Sequence, residues 1–531
     1  MLVPACSIAS LPAPQADAAG AVSRVLVRTG AAVPGAKALS RESGLTVRSV
    51  RRVGPKMAVV SVRATAKQAA ARLLATRSVV SAAPDRRLDI AGTVSPLAAA
   101  NRRFSAQWDL WDAKSTARAG GFGIDAPRAW AKTLGSPDVV VAVLDTGITD
   151  HPDLAGASIA SGYDFVSGGD GVDSADGDGW DADPEDPGDA CTATDEGDSW
   201  HGTFVAGEIV AQHRSGGGVA GAAPGVTLQP VRVLGACGGA ESDAIAAIEW
   251  ASGGSLPDVP DNPDPADVIS MSLGGAEGTC SAALQTAIDD ATARGVVVVA
   301  AAGNDGRAVA SVSPANCSGV ISVAATTRTG ALASYSNRGG AALSPTIAAP
   351  GGSSSQPVLG DGWNADGDAI VTTSIGTSMA APRVSAAVAL LLSTRPGLTP
   401  DQVRARLVAT ATRFPAQGGC TLTRCGAGVV DAGNLLGAPS RFVQAAVATV
   451  TGTRAAGRTL TARAGTWRPV PTTVRYRWTR DGVVVPGATS STYAVRSKDV
   501  GHRIAVRVQV LRPGAASATA TVSAGRVLRT R

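Results

Sequence analysis

Short runs of apolar, largely β-branched residues recur through the middle of the chain and alternate with segments of helical spacing. Runs of this kind, bounded by Gly or polar residues, are typical of parallel strands buried on both faces. They are found at residues 139–144, 268–273, 296–300 and 320–324. The helical segments between them are 202–212, 242–250 and 281–294. The alternation predicts an α/β domain whose parallel sheet carries helices on both faces.

The two ends of the chain show other patterns. Residues 22–90 combine alternating apolar positions with one stretch of helical spacing, which predicts a small α+β module followed by an irregular, easily cleaved stretch. After residue 440 alternation is interrupted by turn pairs such as Asp481-Gly482, which predicts a single β-sandwich. The predicted segments are a leader at 1–20, the α+β module at 22–95, the α/β domain at 96–437 and the β-sandwich at 445–531.

Length and composition agree with a globular protein of several domains. A chain of 531 residues, of which 44% are hydrophobic, is too long for one core and apolar enough to bury more than one. No uninterrupted apolar run approaches the roughly 18 residues that a membrane helix requires. Composition therefore argues against the disordered and the membrane-spanning classes.

The net charge of +5 conceals opposite charges on neighbouring segments. Residues 1–95 carry 14 Lys and Arg against 4 Asp and Glu, residues 96–439 carry 18 against 37, and residues 440–531 carry 16 against 2. A basic region can indicate nucleic-acid binding, but basic segments on either side of an acidic one favour contact within the chain. We expect a monomer without a nucleic-acid partner, whose C-terminal segment attaches to an anionic cell envelope or matrix.

The cysteines indicate an oxidising compartment. Cys6 lies in the leader, and the six others are an even number suited to three disulfides, for which 15 pairings exist. No C-x-x-C pair suggests a structural zinc site. The leader resembles a signal peptide truncated at its start, since residues 16–18 have the small-x-small form of a cleavage site. We predict a secreted protein, extracellular or bound to the cell surface.

Polar residues with catalytic potential follow the buried strands, where chemistry is found in open α/β sheets. Asp145 ends the run at 139–144, and Asn304 follows the run at 296–300 on a turn flanked by glycine. His201 opens a helix, with Gly202 expected to clear space for a substrate. Ser378 begins an apolar helix, where the helix dipole and unpaired backbone N–H groups favour an oxyanion.

Four motifs occur in a fixed order: Asp-Thr-Gly at 145–147, His-Gly-Thr-x-Val-Ala-Gly at 201–207, Gly-Asn at 303–304 and Gly-Thr-Ser-Met-Ala-x-Pro at 376–382. Residues 100–437 thereby resemble the subtilisin-like (S8) serine peptidases. The resemblance implies a serine endopeptidase that acts through an acyl-enzyme on extended polypeptides. Asp145, His201 and Ser378 would form the triad, and Asn304 with the Ser378 backbone N–H the oxyanion hole.

The same resemblance implies further residues and a precursor. Ser272, Leu273 and Gly274 would pair with the substrate as an added strand, and Ala301, Ala302 and Gly303 would line the main specificity pocket. Residues 22–90 resemble the family's inhibitory propeptide, so that the enzyme would be a self-processing zymogen. Residues 445–531 resemble bacterial immunoglobulin-like repeats. The expected disulfides are Cys191–Cys237, Cys280–Cys317 and Cys420–Cys425.

An acidic run suggests a cation site. Residues 163–198 hold 13 Asp and Glu and no Lys or Arg, and oxygen ligands at alternating positions suit Ca²⁺, although a solvated acidic loop is the alternative. Subtilisin-like enzymes commonly bind structural calcium, and no organic cofactor is expected. The candidate ligands are Asp176, Asp178, Asp181, Asp183 and Asp186.

Two other classes of function are weighed against the active protease. One is a pseudo-enzyme whose fold serves binding, which the intact set of Asp145, His201, Ser378 and Asn304 argues against. The other is an adhesin, in which the β-sandwich carries the function and residues 440–531 would act without Ser378.

Overall fold

The computed structural model describes residues 22–90, 92–95, 106–112, 121–168, 173–177, 179–191, 197–212, 218–364, 366–437, 440–441, 443–468, 471, 473–511, 515–516 and 518–529. The predicted leader and one predicted calcium ligand, Asp178, lie outside these residues.

The N-terminal module is an antiparallel sheet covered by two helices. Its elements are β1 (Val22–Thr29), α1 (Ala36–Ser43), β2 (Val47–Gly54), β3 (Met57–Arg63), α2 (Ala66–Leu74) and β4 (Val79–Pro84). The strand order is β2-β3-β1-β4. Helix α2 begins where Thr65 accepts a hydrogen bond from the Gln68 backbone N–H. Two further strands, β5 (Arg87–Ile90) and β6 (Gly92–Ser95), pair instead with the central domain.

The central domain is built on a parallel sheet. Its strands are β7 (Val140–Asp145), β8 (Ser158–Ile159), β9 (Tyr163–Asp164), β10 (Thr227–Arg232), β11 (Gly239–Ala240), β12 (Val268–Met271), β13 (Leu273–Glu277), β14 (Val297–Ala301), β15 (Val312–Ser313), β16 (Ile321–Thr326), β17 (Ile347–Pro350), β18 (Val358–Trp363) and β19 (Ala369–Gly376). The parallel order is β17-β16-β14-β12-β7-β10-β8, and β9 also pairs with β10.

Helices cover both faces of this sheet. They are α3 (Ala126–Trp130), α4 (His201–Val210), α5 (Glu241–Ala251), α6 (Ala282–Ala293), α7 (Thr377–Thr394), α8 (Pro400–Thr410), α9 (Leu422–Cys425) and α10 (Ala432–Leu436). Strand β7 shows why: Val141 and Val143 pack in one core with α4 and α7, whereas Ala142 and Leu144 pack in a second core with α5 and α6. The predicted fold class is confirmed.

The C-terminal region is wholly β in its described part, apart from a 3₁₀ turn at Ser497–Asp499. Its strands are β20 (Ser440–Arg441), β21 (Val443–Ala446), β22 (Thr449–Gly452), β23 (Thr459–Arg463), β24 (Thr466–Arg468), β25 (Thr473–Arg480), β26 (Val483–Val484), β27 (Thr492–Ala494), β28 (Arg503–Leu511), β29 (Ala515–Ala516) and β30 (Ala518–Arg526). The sheets β26-β25-β28-β30 and β22-β23-β27 share one core, in which Trp478 stacks on Tyr493 at 5.3 Å between ring centroids.

Three disulfides join the cysteines in the expected pairs, which are Cys191–Cys237, Cys280–Cys317 and Cys420–Cys425. Within the described part of the chain, no helix is both long and apolar enough to span a bilayer.

Candidate active site

Two of the predicted catalytic residues form a buried pair at the carboxyl end of the sheet. Asp145 is the last residue of β7 and His201 is the first of α4. Asp145 Oδ1 lies 2.7 Å from His201 Nδ1 and also accepts a hydrogen bond of 2.9 Å from the Thr146 backbone N–H. Both side chains are essentially inaccessible to solvent. A carboxylate held in this way fixes both the orientation and the tautomer of the imidazole.

Glycine and threonine bring the two loops of this pair together. A Cβ at position 202 would clash with the Gly147 carbonyl oxygen, so Gly202 serves the close approach of two backbones. This close approach alone explains why residue 202 is glycine, without the predicted role of making room for a substrate. Thr146 Oγ1 accepts a bond of 2.9 Å from the Gly202 N–H and donates one of 2.6 Å to Asp186 Oδ2. The buried Asp186 therefore braces the loop that carries Asp145.

Ser378 is the second residue of α7 and is fully buried. Its Oγ donates a hydrogen bond of 2.8 Å to the Ser272 carbonyl oxygen, and Ser272 Oγ donates one of 2.8 Å to the Ser378 carbonyl. His201 Nε2 is buried without a hydrogen-bond partner among the described residues. The predicted Asp–His hydrogen bond is thus formed, whereas Ser378 Oγ bonds the Ser272 carbonyl and not His201 Nε2.

Asn304 follows β14 and lies beside the beginning of α7. Its Oδ1 accepts hydrogen bonds from the Thr377 backbone N–H at 2.9 Å and from Thr377 Oγ1 at 3.0 Å. Thr377 Oγ1 in turn accepts a bond of 3.0 Å from the Gly303 N–H. These contacts fix the carboxamide next to the nucleophile, as an oxyanion donor requires. Ala301, Ala302 and Gly303 are buried immediately before it.

The chain itself occupies the predicted substrate edge. In an antiparallel register, Ile90 of β5 lies opposite Leu273 and Asp89 lies opposite Gly274 of β13. The other side of β5 pairs with β11, so β5 is a strand between two edges of the central domain. Leu88 is 1% exposed and packs into the central domain's core, whereas Ser272 lies just before β13 and contacts Ser378. Backbone pairing of this kind is strand addition.

The sequence relationship agrees with this geometry. A profile described as "Subtilase family" matches residues 136–428. The chain belongs to the subtilase family. Subtilases are serine endopeptidases, so the predicted family and enzyme class are confirmed. The motif order and the buried Asp145–His201 pair agree with this assignment.

The named relatives of this subtilase are secreted proteases. It is 44% identical over 412 residues to an "Extracellular protease" of Xanthomonas campestris, covering 75% of this chain and 67% of that protein. It is 40% identical over 329 residues to an "Extracellular basic protease" of Dichelobacter nodosus, covering 59% of this chain and 53% of that protein. The extracellular location predicted from the cysteines agrees with both names.

A solved structure of a protease from Pseudoalteromonas arctica is similar to the subtilase, with 43% identity and a TM-score of 0.57. The similarity covers 64% of this chain and 98% of that one. It supports the subtilisin-like fold of the central domain.

Replacing Asn304 with alanine should lower kcat of the subtilase by about 10²–10³ and leave KM nearly unchanged, because the lost donor serves the oxyanion rather than the bound peptide. The magnitude is taken from the corresponding donor of subtilisin itself. Steady-state kinetics on a chromogenic peptide measure both constants. Thr327→Ala, a change at an exposed hydroxyl in the same domain, is the control. A loss confined to KM would contradict the assignment.

Two acidic residues of the run at 163–198 influence the pKa of His201, the predicted catalytic histidine. Burial lowers the pKa of His201, but the carboxylate of Asp145, assisted by Asp189 and Asp186, outweighs burial and raises the pKa above its usual value. A raised pKa restricts the neutral, base-competent imidazole to higher pH. Asp189 and Asp186 should thus add to the effect of Asp145 on the acid limb of activity.

Asp189→Asn should therefore move the acid limb of kcat/KM to lower pH. Asparagine keeps an oxygen for the bond from the Ser199 N–H but removes the charge that stabilises the imidazolium. A pH profile of kcat/KM at low ionic strength measures the shift, and high salt should diminish it. Asp290→Asn, an exposed change on α6, should leave the limb in place. A shift of the limb to higher pH would contradict the electrostatic explanation.

The predicted calcium ligands do not form a site within the described residues. Asp176 pairs with the buried guanidinium of Arg232, which also binds Asp164, and Asp186 is held by Thr146 and the Gly188 N–H. Asp181 and Asp183 accept bonds from backbone N–H groups two residues further along the chain. Two acids of the run, Asp164 and Asp176, are therefore paired with an arginine of β10, a partner that the run's own composition did not reveal.

One group in the described part of the chain brings three potential metal ligands together, and it lies outside the acidic run at 163–198. His151, Asp153 and Asp361 are buried with ligand atoms within 4.8 Å of one another. A histidine nitrogen with two carboxylates is a donor set more typical of zinc than of calcium, which prefers oxygen alone. This group is therefore not the predicted calcium site, whose ligands stay a prediction from the acidic run.

Sequence reasoning missed a buried ion cluster behind the triad. Arg383 lies on α7 and is fully buried, with Nη2 at 2.5 Å from Asp109 Oδ2 and 3.3 Å from Glu208 Oε1. Burial raises the pKa of Asp109 and, with the charge of Asp109 added, raises that of Glu208 well above its usual value, although Arg383 opposes both shifts. A lone arginine within a helix motif gave no sign of these partners.

Proposed function

We propose that this subtilase is an endopeptidase synthesised as a self-inhibited zymogen, which residues 22–90 hold inactive until the chain is cut next to Ser378. The observation that carries the proposal is the path of the chain across the site. Ile90 pairs with Leu273 on one side of the nucleophile, and Gly92 pairs with Gly376 on the other side. The two peptide bonds that flank Ala91 are the candidates for the first cleavage.

The reaction follows from the residues that converge there. Ser378 Oγ rotates from the Ser272 carbonyl to His201, gives its proton to Nε2 and attacks the scissile carbonyl carbon. Asp145 stabilises the imidazolium, while Asn304 and the Ser378 N–H bind the oxyanion. His201 then passes the proton to the leaving amine, and water hydrolyses the acyl-enzyme through the same groups. The side chain before the cut would face Ala301 to Gly303, which weakly favours apolar substrates.

Ion pairs support an inhibitory role for the N-terminal module. Arg51 Nη2 lies 2.8 Å from Asp243 Oδ1, and Arg86 Nε lies 2.7 Å from Glu241 Oε2. Both acids lie in the first turn of α5, and the Asp85 carboxylate of the module accepts bonds from the Ser242 N–H and Oγ at the same helix end. A basic module docked on an acidic domain matches the opposite net charges of the two segments.

The test is a time course of the purified precursor beside Ser378→Ala, with gels and N-terminal sequencing. Wild type should release the module, give a new N-terminus at Ala91 or Gly92 and then cleave casein, while Ser378→Ala stays intact. If both are processed, a contaminating protease makes the cut. If neither is processed, a trace of another protease distinguishes external activation, which restores casein cleavage, from a pseudo-enzyme, which stays inert.

The basic C-terminal region supports a further part of the proposal, namely retention of the monomeric enzyme at an anionic cell envelope or matrix. Residues 440–531 contain 16 Lys and Arg but only 2 Asp and Glu. Retention that weakens as salt is added is the expected behaviour, because charged surfaces are screened by salt. Structural calcium stays a prediction from the family resemblance, and the described acidic side chains supply no support for it.

A further inference from the structure

One face of the C-terminal sheet β26-β25-β28-β30 carries exposed arginines in register. The register places Arg477 of β25 directly opposite Arg507 of β28, and Arg475 is the next residue of β25 on the same face. All three side chains are exposed, while the alternate residues of these strands pack into the domain core. Like charges directly opposite each other on neighbouring strands destabilise a sheet.

Fold stability does not explain this arrangement, and protection of a sheet edge explains only part of it. Lysine and other charges often guard edge strands against unwanted pairing. Strand β25 pairs with β26 only at Thr479 and Arg480, so Arg475 and Arg477 lie on a stretch that no strand of this sheet covers on that side, whereas β28 is an inner strand. The three residues make no ion pair in the described part of the chain. Edge protection therefore does not account for Arg507, nor for its position directly opposite Arg477.

Both acidic side chains of the C-terminal region already have partners. Residues 440–531 contain two carboxylate side chains, Asp481 and Asp499. Asp499 is fully buried and binds Arg480 and the Tyr493 hydroxyl, and Asp481 pairs with His502. The positive charge of Arg475, Arg477 and Arg507 thus has no carboxylate side chain of its own domain beside it, which leaves it available to an anionic partner.

The rest of the face restricts that partner. Opposite the arginines, in register, lie Gln509, Thr519 and Thr521, which offer hydrogen-bonding groups. No aromatic or acidic side chain lies on this face of β25, β28 or β30 among the described residues. Stacking platforms for single-stranded nucleic acid are thus absent from it, and the large apolar side chain on these strands is Leu511 at the end of β28. Guanidinium groups beside hydroxyl and amide groups match carboxylates on a polyhydroxylated chain.

We propose that this face, defined by Arg475, Arg477 and Arg507, binds a linear acidic polysaccharide and so holds the protein at a carboxylate-bearing surface. The inference does not depend on proteolysis, since it concerns a domain separate from the triad. It can therefore fail while the proposed protease function stands, and the reverse also holds.

The test uses the full-length chain with Ser378→Ala, which prevents self-cleavage, and immobilised polygalacturonate as the probe. The face variant carries Arg475→Gln, Arg477→Gln and Arg507→Gln. The matched control carries Arg458→Gln, Arg463→Gln and Lys498→Gln, exposed residues outside this sheet that remove the same charge. The face variant should bind about tenfold more weakly or worse, and the control less than about threefold more weakly. Equal urea midpoints of unfolding show that both variants fold.

Several results would overturn the proposal. Equal losses in the two variants would mean that net charge alone binds the probe. Tighter binding to phosphatidylglycerol vesicles or to single-stranded DNA than to polygalacturonate would assign the face to another partner. An absence of binding to polygalacturonate at low salt would rule out an acidic polysaccharide as the partner. Equal binding to neutral dextran would show that the carboxylates are not recognised.

Discussion

Asp145→Asn should lower kcat by about 10⁴ while KM changes little, the largest loss expected from a single isosteric change in this subtilase. One oxygen, Oδ1, accepts the Thr146 N–H and also lies 2.7 Å from His201 Nδ1. An asparagine therefore either turns its amide N–H toward Nδ1 and gives up the bond from Thr146, or keeps its oxygen there and loses only the charge that stabilises the imidazolium. In the first orientation the imidazole is held in the tautomer whose Nε2 carries the proton and cannot accept one from Ser378. Kinetics on a chromogenic peptide, after maturation by a second protease that is then inhibited, measure the effect.

Asp150→Asn is the matched control, since Asp150 is an exposed acid on the same loop. It should retain kcat within about twofold, as surface substitutions usually do. A loss of less than tenfold for Asp145→Asn would mean that the carboxylate neither selects the tautomer nor stabilises the imidazolium.

Arg383→Met should lower the free energy of unfolding of the mature enzyme by about 3–5 kcal/mol at pH 8. The change leaves Asp109 and Glu208 buried together without the guanidinium that lies between them. Burial already raises the pKa of both carboxyls, and they can accept protons as the pH falls. The loss should therefore be smaller at pH 5 than at pH 8, as urea unfolding of the inhibited enzyme at both pH values will show.

A second substitution separates the ion cluster from simple loss of packing. Glu208→Gln, added to Arg383→Met, should recover part of the stability, because it removes one of the two unpaired acids. Arg413→Met, at an exposed position of the same domain, should change stability by less than about 0.5 kcal/mol. If Arg383→Met is equally destabilising at both pH values and Glu208→Gln recovers nothing, packing rather than charge explains the loss.

The sequence was sufficient for the fold of the central domain because its signals are local. The run before Asp145 is a strand buried on both faces, and its alternate residues do face the two helical layers as the pattern predicts. The single run expected at 268–273 is two strands, since Ser272 leaves the sheet to contact Ser378. The hairpin of β18 and β19 was not predicted at all, because its Gly- and Thr-rich strands lack strong alternation.

The candidate catalytic residues could be predicted from the sequence because short motifs mark them. His201 and Asp145 meet as expected, whereas the side chain of Ser378 points to a carbonyl rather than to the histidine. The contacts of Asp186 and Arg383 could not be foreseen, because their partners are distant along the chain and no short motif records them. Composition showed an excess of acid around Asp176 but could not show that Arg232 compensates it.

The segment just ahead of α3 limits how far the released enzyme can be shortened. Gln107 binds both the N–H and the carbonyl of Ala220, Trp108 donates its indole N–H to the Pro357 carbonyl, and Asp109 is the counter-ion of Arg383. An aminopeptidase in the surrounding medium could trim the chain up to Gln107 without disturbing these contacts. Removal of Gln107 would leave Ala220 without its two bonds, and loss of Trp108 and Asp109 would then remove contacts to Met379 and Arg383 of α7. N-terminal sequencing of aged preparations should therefore find chains that begin at Gln107 or at residues before it.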